Sequence, residues 1–408
     1  MTVVVAPLSN VRVIEATNWM AGPSAGAILA DMGADVIKVE PPTGDAVRGL
    51  IRPPKVEGAA AEIDYSFTVD NRGKRSVAIA LNEPEGAAVM RRLVTGADIF
   101  LCNLLPTRQA RYGLDPATLM TDTPRLIHAT LTGYGLHGPE ADRPGFDVTT
   151  FFGRGAITDS MTEPDGVAPN PRSAQGDHTT GLAMVASILG ALRLVDQTGE
   201  GQIVDVSLLA TAAWTMSSDL SAVLIDGRQP TKRDRRHGIT PLANRFRSSD
   251  DRWMIFNMPE VRWWPKFCHG VGLTDLLDDP RFDSPRSRFD NMPELIDLID
   301  AMFATKTLAE WARILDDAGL IWGPASTMAE LVADPQAAAV GLFPEIDHDS
   351  GPFRTVASPI GIEGADIGPR GLAPEIGVDT VEVLRSVGYG SDEIDALVAA
   401  GTVGPAPK

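Results

Sequence analysis

The chain has 408 residues, of which 44% are hydrophobic and 22% are charged, and its formal net charge is -18 at pH 7. This composition is that of a globular protein and excludes wholesale disorder, and the length predicts two or three domains. The negative charge argues against nucleic acid or an anionic membrane as partner, because the field of the protein would repel both. An anionic ligand therefore needs a local basic pocket.

Cysteine and histidine are sparse. Cys102 and Cys268 are too few for a disulfide framework or a thiolate metal site, and we expect a cytoplasmic protein in a reducing environment. The six histidines lack metal-ligand spacing, so no metal site is predicted. The N-terminal MTVVVAPLSNVRVIEA lacks the positive charge of a signal peptide. No uncharged apolar stretch approaches the roughly 20 residues that span a bilayer, so a soluble protein is expected.

Strands and helices alternate along the first part of the chain. The predicted strands are VRVIEA (11–16), DVIKVE (35–40), SVAIAL (76–81), DIFLCN (98–103) and LIHATLTGYG (126–135). Helices are predicted between them, the first over about 23–32. This alternation predicts an α/β fold with a mostly parallel, Rossmann-like sheet. No G-x-G-x-x-G follows the first strand, which argues against a nicotinamide or flavin enzyme.

The next segment, SAQGDHTTGLAMVASILGALR (173–193), predicts a helix with one apolar face. TGEGQIVDVSLL follows as a turn and a strand. DGRQPTKRDRRHG (226–238) is polar and rich in Arg, which is typical of a linker. NRFRSSDDRWMIF predicts a hairpin, and helices are expected at about 293–303, 307–318 and 327–339. TVEVLRSVGYGSDEIDALVAAG predicts two more helices.

Six segments in order resemble the family III coenzyme A transferases, the CaiB/BaiF family. They are PLSNVRVIEA, AGPSAGAILADMGADVIKVEPPTGDAVR, NRGKRSVAIAL, ADIFLCNLLPTRQARYGL, PRLIHATLTGYGLHGPEADRPGFD and GD...G...ASILGALRLVDQTGEGQIVDVSLL. The resemblance covers about residues 7–215 and resumes weakly afterwards. The family contains formyl-CoA transferase and the carnitine and bile-acid CoA transferases, and it shares its fold with the acyl-CoA racemases.

The resemblance implies an organisation for the whole chain. A large Rossmann-like CoA-binding domain is expected at 1–225, completed by 335–408, with a linker at 226–239. A smaller α+β domain is expected at 240–325, and 326–408 would be a return segment with C-terminal helices. The family also implies an interlocked homodimer, each subunit forming a ring through which the other passes.

Asp177 stands at the start of the predicted helix, in a Gly-Asp pair. From the residues alone it is either the N-cap, accepting N–H bonds from Thr179 or Thr180, or a reacting group. The resemblance implies that Asp177 is the covalent nucleophile, with Gly176 allowing close approach to oxyanion-binding N–H groups. A carboxylate is ionised near neutral pH and can carry an acyl anhydride and then a CoA thioester without ATP. CoA esters and a carboxylic acid acceptor would then be substrates, with no permanently bound cofactor.

The resemblance also implies residues that bind CoA, whose phosphates require basic side chains and free N–H groups. They are Met20, Ala21, Arg72, Arg75, Asn103, Leu104, Arg111 and Arg143. The family often has Phe at the position of Leu104, so a stacking contact is lost here. For Lys74, which lies between Arg72 and Arg75, a surface charge or an ion pair is expected instead.

Two alternatives remain open. An α-methylacyl-CoA racemase uses a His and an Asp as opposed bases, but the position that carries this His in racemases is Phe146 here. We expect His178 to be a first-turn helix residue with a polar neighbour and Asp147 to be a hydrogen-bonding partner. A CoA-binding protein without catalysis would not need Asp177, so the Gly-Asp pair argues against it.

Two departures from the family are visible, and one aromatic pair bears on the acyl pocket. PLANRFRSSDDRW lacks the glycine-rich loop of formyl-CoA transferase, which makes oxalate doubtful as acceptor. The family's GEHT is GVDT at 377–380. Phe151 and Phe152 indicate either a roomy apolar acyl pocket or core packing, which is the commoner fate of adjacent aromatic residues.

Overall fold

The computed structural model describes residues 4–48, 63–348 and 351–404. The chain forms two compact units. The first contains Met1–Asp159, Pro169–Gly227 and Val340–Lys408, and the second contains Ser160–Ala168 and Arg228–Ala339.

The first unit is built on a six-stranded sheet. Its strands are β1 (Arg12–Ala16), β2 (Asp35–Glu40), β3 (Arg75–Ala78), β4 (Ile99–Cys102), β5 (Ile127–Thr132) and β6 (Gln202–Ser207). The spatial order is β3-β2-β1-β4-β5-β6, and every neighbouring pair is parallel. This is the Rossmann order: successive strands are added on one side of β1 up to β3 and then on the other side from β4, so the strand order reverses between β1 and β4. The prediction of an α/β fold with a parallel sheet is confirmed.

Helices cover both faces of this sheet. They are α1 (Ala21–Asp31), α2 (Tyr65–Asn71), α3 (Pro84–Val94), α4 (Pro106–Tyr112), α5 (Pro116–Asp122), α6 (Ile157–Met161), α7 (Gln175–Thr198), α8 (Leu208–Thr215) and α9 (Ser217–Asp226), with a π-helical segment at Val148–Arg154. Successive strand residues such as Val13 and Ile14 point to opposite faces, and they belong to separate cores. α1 and α7 pack on the Val13 face, and α3 packs on the Ile14 face.

The crossing of α1 and α7 is unusually close at Gly181. A Cβ atom at that position would overlap Ser24 Oγ and lie 3.0 Å from the Ala21 carbonyl oxygen. Of the described helices, α7 has the length and apolar composition of a membrane span, and so does the bent pair α8 and α9 taken together. Met184, Val185 and Ile188 of α7 are nevertheless core residues against the sheet.

The second unit is an antiparallel sheet covered by helices. Its strands are β7 (Ala243–Arg247), β8 (Trp253–Asn257) and β9 (Trp322–Pro324), and its helices are α10 (Trp263–Val271), α11 (Pro285–Asp290), α12 (Met292–Phe303), α13 (Leu308–Asp317), α14 (Met328–Ala333) and α15 (Pro335–Ala339), with 3-10 turns at Arg235–His237 and Thr274–Leu277. β7 and β8 form the predicted hairpin. The single helix predicted over 327–339 is wrong: the chain is extended at Asp334, because the residue before a proline disfavours the helical conformation.

The last segment of the chain returns to the first unit. It contains β10 (Glu345–Ile346), β11 (Phe353–Arg354), α16 (Thr380–Ser386) and α17 (Ser391–Ala399), so the two predicted C-terminal helices are confirmed. The GVDT segment attaches α16 to β3: Asp379 Oδ2 accepts from Ser76 N at 2.7 Å, and Thr380 Oγ1 accepts from Ala78 N at 3.2 Å.

Replacing Gly181 by Ala is expected to lower the free energy of unfolding by about 1–3 kcal/mol, because the added methyl group overpacks the α1–α7 crossing. Gly190 lies on the same helix with nothing within 4 Å of its Cβ position. Gly190→Ala should therefore stabilise the protein by about 0.5–1 kcal/mol through helix propensity alone. Thermal unfolding of both variants tests this, and equal effects would contradict the close crossing.

Candidate active site

A pocket opens at the carboxyl edge of the large sheet, where the strand order changes direction. Its volume is about 260 Å³. Asn18 and Trp19 come from the turn after β1, Asn103 follows β4, and Thr132 ends β5. Ligands of open α/β sheets bind at this topological switch point. The remaining lining residues are Ala21, Leu104, Leu105, Arg108, Leu131, Gly133, Pro144, Gly145, Phe146, Asp177 and Leu208.

The turn between β1 and α1 forms one wall of the pocket and is held rigidly. Asn18 N donates to Asn103 Oδ1 at 3.1 Å, and Asn103 Nδ2 donates back to the Asn18 carbonyl at 2.7 Å. Trp19 has a φ of 68°, a left-handed conformation that costs energy for a residue with a bulky side chain. Its N–H donates to Asp45 Oδ1 at 3.1 Å. Its ring meets Phe146 edge-on, with the centroids 4.9 Å apart.

A buried ionic network supports this turn from below. Lys38 Nζ donates to Asp45 Oδ2 at 2.8 Å and to the Thr17 carbonyl at 3.0 Å, and it lies 3.4 Å from Glu15 Oε1. Burial opposes the charge on Lys38, but the carboxylates of Glu15 and Asp45 raise its pKa overall. Lys74 Nζ lies 2.7 Å from Glu15 Oε2, and burial lowers the pKa of Lys74 to about 8. Lys74 is thus an ion-paired residue, one of the two roles expected for it.

Asp177 lies in the first turn of α7 but is not its N-cap. The N-cap is Ala174, which has a φ of 78° and gives no side-chain cap, and Asp177 is the third helical residue. The prediction that Asp177 caps the helix is therefore wrong, because α7 begins two residues earlier than Asp177. The N–H groups of the first turn have no intrahelical acceptor, and Asp177, which belongs to that turn, lines the pocket.

The Asp177 carboxylate is dehydrated and surrounded mainly by negative charge. Asp177 is only 9% exposed to solvent. Burial raises the pKa of Asp177 to about 7, with further contributions from Asp147 and Asp70, while His178 opposes the rise. At neutral pH the group is therefore partly protonated, which differs from the fully ionised carboxylate that the sequence predicts.

Asp147 and Phe151 join the start of α7 to the π-helical segment. Asp147 is 2% exposed; its Oδ1 accepts from Val148 N at 2.7 Å, and its Oδ2 has no hydrogen-bond partner among the described residues. A Cβ atom at Gly176 would lie 2.6 Å from the Phe151 ring, so glycine is required there by this packing. Phe151 and Phe152 cluster with Leu208 and Ala212, which is the core packing that the sequence left open.

His178 follows Asp177 and pairs with an aspartate from a distant part of the chain. His178 Nε2 lies 3.0 Å from Asp70 Oδ1, and Asp70 is 4% exposed. The hydrogen bond to Asp70 is the main cause of a raised pKa of His178. The expected polar neighbour of His178 is thus Asp70.

The structure brings some of the predicted CoA-binding residues to the pocket. Ala21, Asn103 and Leu104 line it, and Met20 precedes Ala21 at the N-cap of α1. Arg111 is exposed on α4. Arg143 is 57% exposed and pairs with Glu140 at 2.8 Å.

The structure does not bring Arg72 and Arg75 to the pocket. Arg72 is 2% exposed and bound to Asp31 through two hydrogen bonds of 3.1 and 2.6 Å. Arg75 pairs with Asp35 at 2.7 Å. Arg75 and Asp35 are the first residues of β3 and β2, so they lie at the amino edge of the sheet, opposite the pocket. Phosphate binding by these two arginines stays a prediction.

Sequence reasoning missed Trp19, Arg108 and Asp70. Trp19 and Arg108 each follow the carboxyl end of a predicted strand within six residues, which is a recognisable signal. Arg108 lines the pocket, and no carboxylate among the described residues pairs with it. Asp70 is separated from His178 by 108 residues, and no local pattern indicates their contact.

Among the residues that the structure describes, no group of three or more His, Cys, Asp or Glu side chains is arranged to hold a metal ion. The arrangement instead combines a dehydrated carboxylate, the N–H groups of a helix start and an arginine that no carboxylate of the described segments binds. Such a site can attack an electrophilic carbonyl and hold an anionic ligand.

Comparison with known proteins agrees with this chemistry. The sequence model of CoA-transferase family III matches residues 8–380. The chain is 31% identical over 393 residues to (R)-2-hydroxy-4-methylpentanoate CoA-transferase of Clostridioides difficile, covering 95% of this chain and 97% of the relative. It is 32% identical over 393 residues to cinnamoyl-CoA:phenyllactate CoA-transferase of Clostridium sporogenes, covering 95% of each.

A solved structure shows the same fold. The crystal structure of a CaiB/BaiF family protein from Brucella suis superposes with a TM-score of 0.81 at 31% identity, covering 94% of this chain and 100% of that one.

Asp177→Asn is expected to stabilise the protein more at pH 8 than at pH 5, by about 1–2 kcal/mol. The folded protein holds a proton on Asp177 that the unfolded chain releases near pH 4, so wild-type stability falls as pH rises toward about 7. The Asp177→Asn variant has no titrating group at this position and does not lose stability in this way as the pH rises. Thermal unfolding at both pH values measures the difference. Asp392→Asn removes an exposed carboxylate from the first turn of α17 and should show no comparable dependence.

Proposed function

The chain belongs to CoA-transferase family III, and we propose that it moves CoA between carboxylic acids through covalent intermediates on Asp177. The observation that carries this proposal is the buried Asp177 carboxylate at the start of α7, lining a pocket at the switch point of the sheet. A raised pKa supports the nucleophilic role, because a more basic carboxylate forms a stronger bond to an acyl carbon once it is ionised.

The reaction proceeds by two exchanges at Asp177. Its carboxylate oxygen attacks the thioester carbon of the donor, the C–S bond breaks, and CoA leaves as the thiolate. The thiolate then attacks the aspartyl carbonyl of the mixed anhydride, and the donor acid leaves with the bridging oxygen. The product is an aspartyl-CoA thioester. The acceptor carboxylate repeats both steps in reverse and restores Asp177, so the energy of the thioester is conserved without ATP.

Each tetrahedral intermediate develops an oxyanion next to the start of α7. The unpaired N–H groups of a helix N-terminus, together with the helix dipole, favour negative charge at that place. Gly176 keeps this turn in contact with Phe151, which fixes the direction of the donors. We propose that these N–H groups form the oxyanion site.

We propose that CoA lies along the turn after β1 and the segment after β4. Met20, Ala21, Asn103 and Leu104 would contact its pantetheine arm, and Arg108, Arg111 and Arg143 would supply positive charge for its phosphates. Arg108 is the strongest of the three, because it lines the pocket and its guanidinium is not bound by a carboxylate of the described chain. CoA acts here as substrate.

The acids that we propose are apolar monocarboxylates with a branched or aromatic chain. The pocket wall contains Trp19, Leu104, Leu131 and Phe146. The two relatives described above are named for acids with a branched or an aromatic chain, two of which also carry a hydroxyl group. A racemase is the weaker alternative. Phe146 cannot take a proton, and its ring is engaged with Trp19.

We also propose that the protein functions as the interlocked homodimer typical of the resemblance. The support is a set of large apolar side chains left exposed on α8 and α9. Trp214 is 78% exposed, Leu224 is 85% exposed and Ile225 is 86% exposed. Side chains of this size in one region usually mark a protein interface.

Incubation of the wild-type protein with acyl-CoA, followed by hydroxylamine, is expected to leave an aspartyl hydroxamate on Asp177 that mass spectrometry of peptides can locate. A branched acyl-CoA and cinnamoyl-CoA should label faster than succinyl-CoA if the apolar pocket selects the acid. Asp177→Asn should abolish labelling, whereas Asp147→Asn keeps the nucleophile and should still label. CoA-ester binding without an adduct, with solvent deuterium entering the α-carbon, would support the racemase instead.

Arg108→Gln is expected to raise KM for the CoA ester about tenfold with little change in kcat, since one charge-assisted contact to phosphate is worth about 1–2 kcal/mol. Steady-state kinetics measure KM and kcat separately and so test this prediction. Arg75→Gln is expected to leave KM unchanged, because Asp35 holds that guanidinium at 2.7 Å. A raised KM would instead support phosphate binding by Arg75, as the family resemblance implies.

A further inference from the structure

The mechanism proposed above gives no role to the pair formed by His178 and Asp70. His178 lies in the first turn of α7, directly after Asp177, and its Nε2 is 3.0 Å from Asp70 Oδ1 on α2. The Asp70 side chain is 5% exposed and the His178 side chain is 45% exposed. Contacts between α1 and both of these helices hold the pair together. The fold thus places a hydrogen-bonded acid and imidazole next to the reacting carboxylate.

We propose that the Asp70–His178 pair supplies the counter-charge of the Asp177 nucleophile: an imidazolium, held in place by Asp70, that increases the ionised fraction of the neighbouring carboxylate. This inference rests on the proposed covalent role of Asp177. His178 is then a positioning residue that acts through Asp177, with no contact to the reacting atoms required.

The charges around Asp177 show why such a group is needed. Asp147 approaches from the π-helical segment and Asp70 from α2, and both disfavour a second negative charge. His178 is the group on α7 itself that favours the ionised form. Arg108 also lines the pocket, but under the proposed function its charge is neutralised when the anionic CoA ester binds. His178 keeps its charge in that complex, because its partner Asp70 belongs to the protein.

Asp70 has two opposed effects on the ionisation of Asp177. The proposal therefore predicts different changes for the single and the double variant. Through its hydrogen bond it favours the protonated, cationic form of His178. Through space it repels the Asp177 carboxylate, more weakly than His178 attracts it. Removing His178 alone therefore leaves Asp70 as an unbalanced negative charge, whereas removing both groups relieves part of that repulsion.

The test is the pH dependence of adduct formation on Asp177, measured as the single-turnover rate of hydroxamate labelling from pH 5 to 9. The acid limb is the part of the pH–rate profile in which the labelling rate falls as the pH is lowered. For His178→Gln we expect the midpoint of this limb to move up by about one pH unit. The rate at pH 7 should fall about fivefold and the rate at pH 9 should stay within about twofold of wild type. His178→Lys keeps a cation and should keep the wild-type limb. The double variant Asp70→Asn with His178→Gln should recover part of the loss at pH 7.

A purely structural role for His178 gives a different pattern. The losses would then be equal at pH 7 and pH 9, His178→Lys would behave as His178→Gln does, and the double variant would be no better than the single one. Any of these results would overturn the proposal. His237→Gln is the matched control: it removes an imidazole hydrogen-bonded at 2.9 Å to Asp234 in the second unit, and it should leave the limb in place.

A second measurement does not depend on turnover. Coupling between two charges is reciprocal, so Asp177→Asn should lower the pKa of the His178 ring. NMR titration measures this pKa, and the His178 resonance is assigned as the one that is missing from the spectrum of His178→Gln. An unchanged titration would reject the coupling even if Asp177 is the nucleophile. Absence of any adduct in the wild-type protein, with the coupling present, would instead reject the covalent function and leave the charge pair intact.

Discussion

The close crossing of α7 over α1 at Gly181 is the contact on which the geometry of the site depends. Because the two helices meet where no side chain fits, the position of α7 along the sheet is fixed to within a fraction of a helical turn. Asp177 lies one turn before this crossing and is thereby held over the switch point between β1 and β4. The same crossing sets the contacts at the start of α7, where Gly176 packs on Phe151 and His178 reaches Asp70. Asp177, the N–H groups of the first turn and His178, to which the proposed mechanism gives its roles, are thus positioned by one packing interaction.

The opposite wall of the pocket is fixed by charge. Lys38, Lys74, Glu15 and Asp45 are buried together beneath the turn after β1, and groups of this kind are retained in an interior only when they are paired and hydrogen-bonded. Two of their other bonds end on that turn: Asp45 accepts the N–H of Trp19, and Lys38 donates to the Thr17 carbonyl. The network thus uses its interaction energy to hold Trp19 in a left-handed conformation, which places the indole against Phe146.

Much of this organisation is predictable from the sequence, for identifiable reasons. The parallel sheet follows from short β-branched segments separated by helical ones, and the hairpin follows from the polar turn within NRFRSSDDRWMIF. Residues adjacent in the sequence to those motifs are less predictable. Arg72 and Arg75 belong to one basic segment, but strand direction sends them to the edge opposite the pocket. The start of α7 is displaced because Ala174, rather than a residue with a capping side chain, precedes it. The Asp70–His178 contact joins positions 108 residues apart and has no local pattern at all.

The net negative charge of the chain disfavours further negative charge at the site, and positive groups near the pocket reduce this repulsion locally. Under the proposed function, a protein of net charge -18 would have to hold an anionic nucleophile beside an anionic substrate. Removing water makes the Asp177 carboxylate more basic, and therefore more reactive when ionised, but it also reduces the fraction that is ionised at neutral pH. Local positive groups can shift this balance. Under the proposed function the helix start would act on the oxyanion, Arg108 lines the pocket, and His178 opposes the rise in the pKa of Asp177. Because Asp70 balances the charge of a protonated His178, such a pair would influence Asp177 without adding net charge to the site.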